Sequence, residues 1–219
     1  MKRITIVTGH YGSGKTNLSV NLAINAAKEG KNVTIVDLDI VNPYFRTADF
    51  KQLFEENGIK MLAPDFANSN LDIPALNFDI EQISCKDSTL IIDVGGDDAG
   101  AFALGRYAQA LNNHIDELEM LYVINQRRNL TETADEAVSL MYEIEAASRM
   151  KHTAVVNNTN LGCETTSEII AQSKNFADEV SAKTGLPLAF TTCPEDLCSS
   201  LENNDILPIK VFVKPLREI

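Results

Sequence analysis

Five short, predominantly apolar runs punctuate the chain, at residues 4–7, 33–36, 90–92, 120–124 and 153–156. A strand with one face in water alternates apolar and polar residues, so such runs predict strands covered on both faces, as in parallel sheets. Between them the apolar spacing becomes helical. Leu18, Leu22 and Ala26 share one face across 15–29, with Gly30 as a stop. Ala134, Ala137, Val138 and Met141 mark a second helix, and Ile169, Ser173, Phe176, Ala177 and Val180 a third. Strands alternating with helices predict right-handed crossovers and an α/β fold, a three-layer, doubly wound, mostly parallel sheet. Ligands of such sheets gather beyond the carboxyl ends of the strands. The polar, proline-flanked stretch 64–74 reads as an excursion and not a boundary, so one domain over 1–219 is expected.

Composition narrows the function classes. At 44% apolar, 219 residues supply one sizeable core. The net charge of −12 opposes binding to nucleic acid or anionic lipid. Met1, Lys2 and Arg3 are followed by too short an apolar run for a signal peptide, and no stretch is long enough to span a bilayer, so a cytoplasmic location is expected. Cys85, Cys163, Cys193 and Cys198 show no C-x-x-C spacing and no cluster with the three histidines, which argues for plain thiols over zinc or redox chemistry.

The candidate chemistry sits after the first run. Gly9, Gly14, Lys15 and Thr16 match G-x-x-x-x-G-K-S/T between a predicted strand and a predicted helix, the context that motif requires. Backbone amides turned inward by glycine, together with the helix start, attract phosphate; Lys15 reaches the terminal phosphates and the Thr16 hydroxyl suits Mg²⁺. Gly9, His10, Tyr11, Gly12, Ser13, Gly14, Lys15, Thr16 and Asn17 are therefore the candidate phosphate site. Asp93 ends the run "TLIID" ahead of Gly95 and Gly96, a strand-tip carboxylate suited to a hydrated metal. Asp37 and Asp39 follow "VTIV", and either could orient water or approach the metal.

Taken together, the loop, "VDLD" at 36–39, "IIDVGG" at 91–96, "VVNN" at 155–158 and "CPED" at 193–196 resemble the MinD/ParA/CobQ-type nucleotide-binding domains, in the expected order over most of the chain. Such proteins are P-loop ATPases. The resemblance implies that Asp39 positions the attacking water, that Asp93 is the second metal-site acid beside Thr16 and Asp39, and that Gly96 senses the γ-phosphate. Lys15, Asp39 and Asp93 would then be the catalytic set. It also implies that Asn157 meets the adenine edge, with the backbone of Pro194, Glu195 and Asp196 lining the base pocket. Residues 157–160 read Asn-Asn-Thr-Asn, without the carboxylate of the guanine-reading N-K-x-D, which favours ATP over GTP.

Relatives of the ParA and MinD branch carry K-G-G-x-G-K-S/T, whose first lysine crosses a nucleotide-sandwiched dimer to the partner's phosphates. His10 stands in that lysine's place and Tyr11 in the next glycine's. A histidine carries only a fraction of a charge at neutral pH, so slow intrinsic hydrolysis is expected. Arg46, Arg127 and Arg128 are candidate replacement cations. Residues 41–46, with Tyr44 and Phe45, read as a switch loop that is either a lid or a partner face, and 93–102 as a hinge able to follow the γ-phosphate. The leading expectation is a Mg²⁺-dependent ATPase switch for a client protein, with a homodimer open. The alternative is an ATP-dependent ligase or kinase of the dethiobiotin-synthetase or CobQ type. The C-terminal "LPIKVFVKPLREI" has strand-like alternation and not the basic amphipathic helix of a membrane anchor.

Overall fold

The computed structural model describes residues 1–39, 47–63, 87–96, 98–201 and 205–213. The chain runs β1 (Ile4–Gly9), α1 (Lys15–Lys28), β2 (Asn32–Leu38), a 3-10 turn (Thr47–Phe50), α2 (Lys51–Glu56), β3 (Lys60–Leu62) and β4 (Ser88–Val94). Next come α3 (Asp98–Gly105), α4 (Ala108–Asn112), β5 (Leu118–Ile124), α5 (Ala134–Ser148) and β6 (Ala154–Asn157). Then follow α6 (Ser167–Gln172), α7 (Lys174–Thr184), β7 (Leu188–Pro194) and β8 (Ile206–Ile209). The described strands form one eight-stranded sheet in the order β3-β2-β4-β1-β5-β6-β7-β8. Every pairing in it is parallel. The expected switch loop 41–46, Cys85 and the stretch 64–74 lie outside the described residues.

Two apolar layers cover the sheet, which is why its central strands read as predominantly apolar runs. Ile4, Ile6, Leu90, Ile92, Met120 and Tyr122 point to one face and pack under Leu104, Leu111, Ala137, Met141 and Ala177. Val7, Val33, Ile35, Ile91, Leu121 and Val123 point to the other, under Leu18, Leu22 and Phe54. Burying side chains of this size contributes on the order of 2 kcal/mol each, so the two layers dominate stability. The chain leaves β1 for β2 and β3, returns to β4 beside β1, then crosses to β5 on the other side. The carboxyl ends of β1, β4 and β5 therefore meet at the point of reversal, where such sheets bind ligands.

Strand alternation decides which polar side chains face α1. Asp93 lies on the Ile91 face of β4 and Asp37 on the Ile35 face of β2, so both carboxylates point toward α1 and are paired in register. The third expected helix is broken at Ser173 into α6 and α7. Its buried hydroxyl donates back to Ile170 O at 2.7 Å, the local competition with helix bonding that Ser offers. The segment after Pro194 is a turn followed by a 3-10 turn at Cys198–Ser200, not an α-helix.

Candidate functional site

The loop between β1 and α1 folds back on itself: Ser13 N–H donates to His10 O at 3.1 Å, and Lys15 Nζ donates to the same carbonyl at 3.0 Å. Gly14 begins α1 with φ 88°, a left-handed conformation that a side chain would strain. Lys15 is largely buried, its ammonium held inside the loop. Ser13 Oγ is buried and, among the described residues, lacks a hydrogen-bond partner. A buried hydroxyl without a partner is costly, so this atom marks a place where a polar ligand belongs.

The other loops close on this one. A Cβ on Gly96 would lie 2.6 Å from Tyr11 Cα and N and 2.8 Å from Lys15 Nζ, so only glycine lets the end of β4 approach the phosphate loop. Asp93, fully enclosed, accepts Ser19 Oγ–H at 3.1 Å and Thr47 Oγ1–H at 2.6 Å. Burial pushes its carboxyl up from the ordinary range, against the pull of Thr47, Lys15, Thr16 and Ser19. A carboxylate so enclosed, beside the Thr16 hydroxyl and the Lys15 ammonium, suits a divalent cation, which would hold its charge in place. Asp37 is also buried, and its Oδ1 accepts the Asp39 amide at 2.9 Å, setting the start of the next loop. Asp39 lies against Gly95, its Oδ1 3.2 Å from where a Cβ there would sit. The structure thus gathers Gly9 to Thr16, Asp39, Asp93 and Gly96 at one end of the sheet, and Asp37 supports Asp39 from below.

His10 and Tyr11 occupy the rim. Burial, and then Lys15, lower the His10 pKa from 6.5, so its ring is neutral at physiological pH. Tyr11 is 57% exposed, with its ring outside the cradle.

Three assigned residues are placed differently from expectation. Asn157 continues the Val155 face of β6 and is enclosed on the α6–α7 side, where its Nδ2 donates to Ser173 Oγ at 2.8 Å and its Oδ1 accepts the Thr159 hydroxyl at 2.8 Å. Asn158, one residue on and on the opposite face, carries the contact with the loop: its Nδ2 donates to Ser13 O at 2.6 Å, and its Oδ1 accepts from Thr192. Asn17 turns its side chain away from the loop, donating to Lys210 O at 3.0 Å and accepting Phe212 N–H at 2.8 Å. Only its backbone remains with the phosphate site. The turn after β7 closes on itself: Leu197 N–H donates to Pro194 O at 2.9 Å, Glu195 N–H donates to Ile209 O at 3.1 Å, and Asp196 is exposed. Thr47, Ser19 and Asn158 were not singled out by sequence. K-T-x-x-S places Ser19 one helical turn beyond Lys15, which is the only available hint.

Loops after β5 and β6 are stitched to each other and to the cradle. Gln126 N–H donates to Thr159 Oγ1 at 3.1 Å, and Asn160 Nδ2 donates to Asn158 O at 2.7 Å. The Arg128 side chain lies over Gly12, whereas Arg127 is exposed and its amide donates to Asn125 Oδ1 at 2.9 Å. The described residues include no group of three or more His, Cys, Asp or Glu placed to hold a metal by themselves, and no helix long and apolar enough to cross a membrane.

The model of the CobQ/CobB/MinD/ParA nucleotide binding domain matches residues 4–172. The chain belongs to that family. No curated protein matches it. Solved structures similar to this CobQ/CobB/MinD/ParA domain include FtsY from Mycoplasma mycoides, with 17% identity and TM-score 0.59 over 86% of this chain and 59% of that one. The cell division protein FtsY from Thermotoga maritima has 20% identity and TM-score 0.59 over 88% and 62%. The 54 kDa signal recognition particle protein from Aeropyrum pernix K1, solved in complex with GDP, has 19% identity and TM-score 0.55 over 86% and 40%. The chain spans less than two thirds of the length of each. At these identities the likeness establishes the fold, that of P-loop NTPases, which is the doubly wound architecture expected from the sequence.

Proposed function

We propose that the chain binds a nucleoside triphosphate with a divalent cation, hydrolyses it slowly, and uses the bound state to govern a surface for a protein partner. The observation that carries this is the meeting of three loops on one cradle, with Gly96 against Lys15 and Tyr11, and Asp93 tied to both Ser19 and Thr47. Thr16 and Asp93 would hold the cation, which supplies charge neutralisation at the phosphates, and Asp39 would orient the attacking water. Lys15 would exchange its bond to His10 O for the terminal phosphates.

Adenine is the favoured base because residues 157–160 offer no carboxylate to guanine; the GDP in the structural neighbours makes GTP the comparison to run. The bond from Asn158 Nδ2 to Ser13 O supports Asn158 over Asn157 as the residue that would join a base loop to the phosphate loop.

The switch reading rests on α3. A Cβ on Gly100 would lie 2.6 Å from Gly95 Cα and O, so α3 is seated directly on the Gly95–Gly96 turn. Any displacement of Gly96 by a γ-phosphate is passed to α3, and with it to Phe102, which is 59% exposed. Thermal stability measured with ATP, GTP, ADP and a non-hydrolysable ATP analogue, each with and without Mg²⁺, tests base and metal together. Phosphate release followed with and without added metabolites separates the switch from a ligase or kinase. Stabilisation by Mg·ATP above Mg·GTP, with slow release that needs no metabolite, is expected; strict dependence of release on a metabolite would replace the switch by the ligase.

A further inference from the structure

The phosphate loop carries no permanent cation besides Lys15, because His10 is neutral where it stands. Resting on the nucleotide reading above, we propose that Arg128 supplies the missing charge from within the same chain, its guanidinium facing the terminal phosphates of a bound triphosphate across Gly12.

Contact comes first. From the position a Cβ on Gly12 would take, Arg128 Nε lies 3.3 Å away, Cζ 3.4 Å and Cδ 3.5 Å. The side chain therefore lies against the loop while staying exposed to solvent, and the absence of a side chain at Gly12 is what admits it. Gly12 itself has φ 75°, which favours glycine for a separate reason.

The base of the side chain is fixed. Asn125 is fully buried, and its Oδ1 accepts Arg127 N–H at 2.9 Å. Arg128 N–H donates to Asn125 O at 3.3 Å, and Thr131 donates to Arg128 O through its amide at 3.2 Å and its hydroxyl at 3.1 Å. A turn held on both sides of Arg128 leaves only the side chain to move, which lowers the entropy lost when the guanidinium engages an anion.

In a chain of net charge −12, Arg128 forms no ion pair among the described residues, a state it shares with Arg106, Arg127 and Lys210 but combines with a place against Gly12. Its guanidinium stays charged at any working pH and offers a planar fork that fits phosphate oxygens, which a histidine at position 10 cannot match. During hydrolysis the water oxygen bonds to the γ-phosphorus and gives up a proton to a phosphoryl oxygen, the bridging P–O bond breaks, and its electron pair leaves as negative charge on the departing diphosphate. A cation already seated over the loop favours that charge more than the ground state.

The test compares wild type with Arg128→Ala, Arg128→Lys and the neighbouring Arg127→Ala. Single-turnover phosphate release and affinities for Mg·ADP and for Mg·ADP with aluminium fluoride, a mimic of the transferring phosphoryl group, are measured on each. For Arg128→Ala the expected result is release slowed ~10–100-fold and aluminium-fluoride affinity reduced by a similar factor, with ADP affinity within about twofold of wild type. Arg128→Lys should recover part of both, and Arg127→Ala should behave as wild type. Unchanged aluminium-fluoride affinity in Arg128→Ala overturns the proposal, as does an equal loss of ADP affinity, which would mean that Arg128 merely props the loop. Should wild type bind Mg·ATP without releasing phosphate, the aluminium-fluoride affinities alone decide. Should wild type bind no nucleotide, the nucleotide reading fails and this inference fails with it.

Discussion

Thr47 donates its hydroxyl proton to Asp93 Oδ2 at 2.6 Å, joining the chain just beyond residues 40–46 to the strand-end carboxylate of β4. Both side chains are buried, so this bond links two loops in a place where water cannot substitute for it.

Asp93 is therefore held at a cost in the free protein. Burial raises its folded-state pKa above the ordinary 3.8, so the folded form binds the proton more tightly than the unfolded form. Stability is then lost as pH rises through the raised value and stays lost at neutrality. Asp93→Asn is expected to raise the stability of the nucleotide-free protein by about 1–2 kcal/mol, the usual exchange at functional sites. The same variant should lose the extra stabilisation that Mg²⁺ adds to ATP. Denaturant unfolding with and without Mg·ATP measures both effects.

A second carboxylate gives a pH signature far from the site. Glu145 Oε1 lies 3.2 Å from His152 Nδ1, and His152 Nε2 lies 2.8 Å from Thr8 Oγ1, all beneath the strand that leads into the phosphate loop. Burial lowers the His152 pKa from 6.5, so its ring is neutral, with Nδ1 against Glu145 and Nε2 against the Thr8 hydroxyl, which donates to Leu121 O at 3.1 Å. Burial opposes the Glu145 charge, but bonds from His152 and Lys151 outweigh it and hold the carboxyl at about 2. The unfolded chain takes up protons as pH falls below 6.5 at His152 and below 4.5 at Glu145, while the folded chain resists, so stability falls through both windows. The midpoint of thermal unfolding should drop between pH 7 and 5.5 in wild type and drop less in His152→Asn, where His10 still titrates, and the lower window should shrink as Glu145 loses the His152 ring.

The strand plan and the phosphate loop were legible because predominantly apolar runs and G-x-x-x-x-G-K-T each encode a physical requirement. Strands at or next to the edges of the sheet were not. β3 is three residues long, and β7 carries the partly exposed "LAFTTCP", too short or too mixed to show a period. Asn157 and Asn158 are adjacent in sequence but lie on opposite sheet faces, and only the apolar partners of β6 reveal which one meets the loop. The Asn17 side chain escaped notice because its partners, Lys210 and Phe212, are far away in sequence.

That Asn17 contact predicts a coupling between the two ends of the chain. Asn21 Nδ2 also donates to Lys210 O at 2.9 Å, and Asn21 Oδ1 accepts Lys210 N–H at 2.8 Å. Replacing Asn17 and Asn21 together by Ala should cost about 1–3 kcal/mol and expose the segment after β8 to protease, while leaving phosphate affinity within a few-fold of wild type. Limited proteolysis followed by mass determination reads the exposure directly.

Gly96 is a position where space is tightly restricted. Gly96→Ala places a methyl group 2.6 Å from the Tyr11 backbone and 2.8 Å from Lys15 Nζ, so the β4 end must retreat. Affinity for a non-hydrolysable triphosphate is expected to fall ~10-fold or more, with diphosphate affinity reduced less, as titration of each nucleotide will show.

The whole account depends on the loop from Gly9 to Thr16, with Lys15, binding a triphosphate whose cation Asp93 helps to hold. Calorimetric titration of Mg·ATP into wild type and Lys15→Ala measures this most directly. Saturable binding by wild type, weakened when Mg²⁺ is removed and ~100-fold or more weaker in Lys15→Ala, is the predicted result. No heat of binding to wild type from either Mg·ATP or Mg·GTP at millimolar concentration would contradict it.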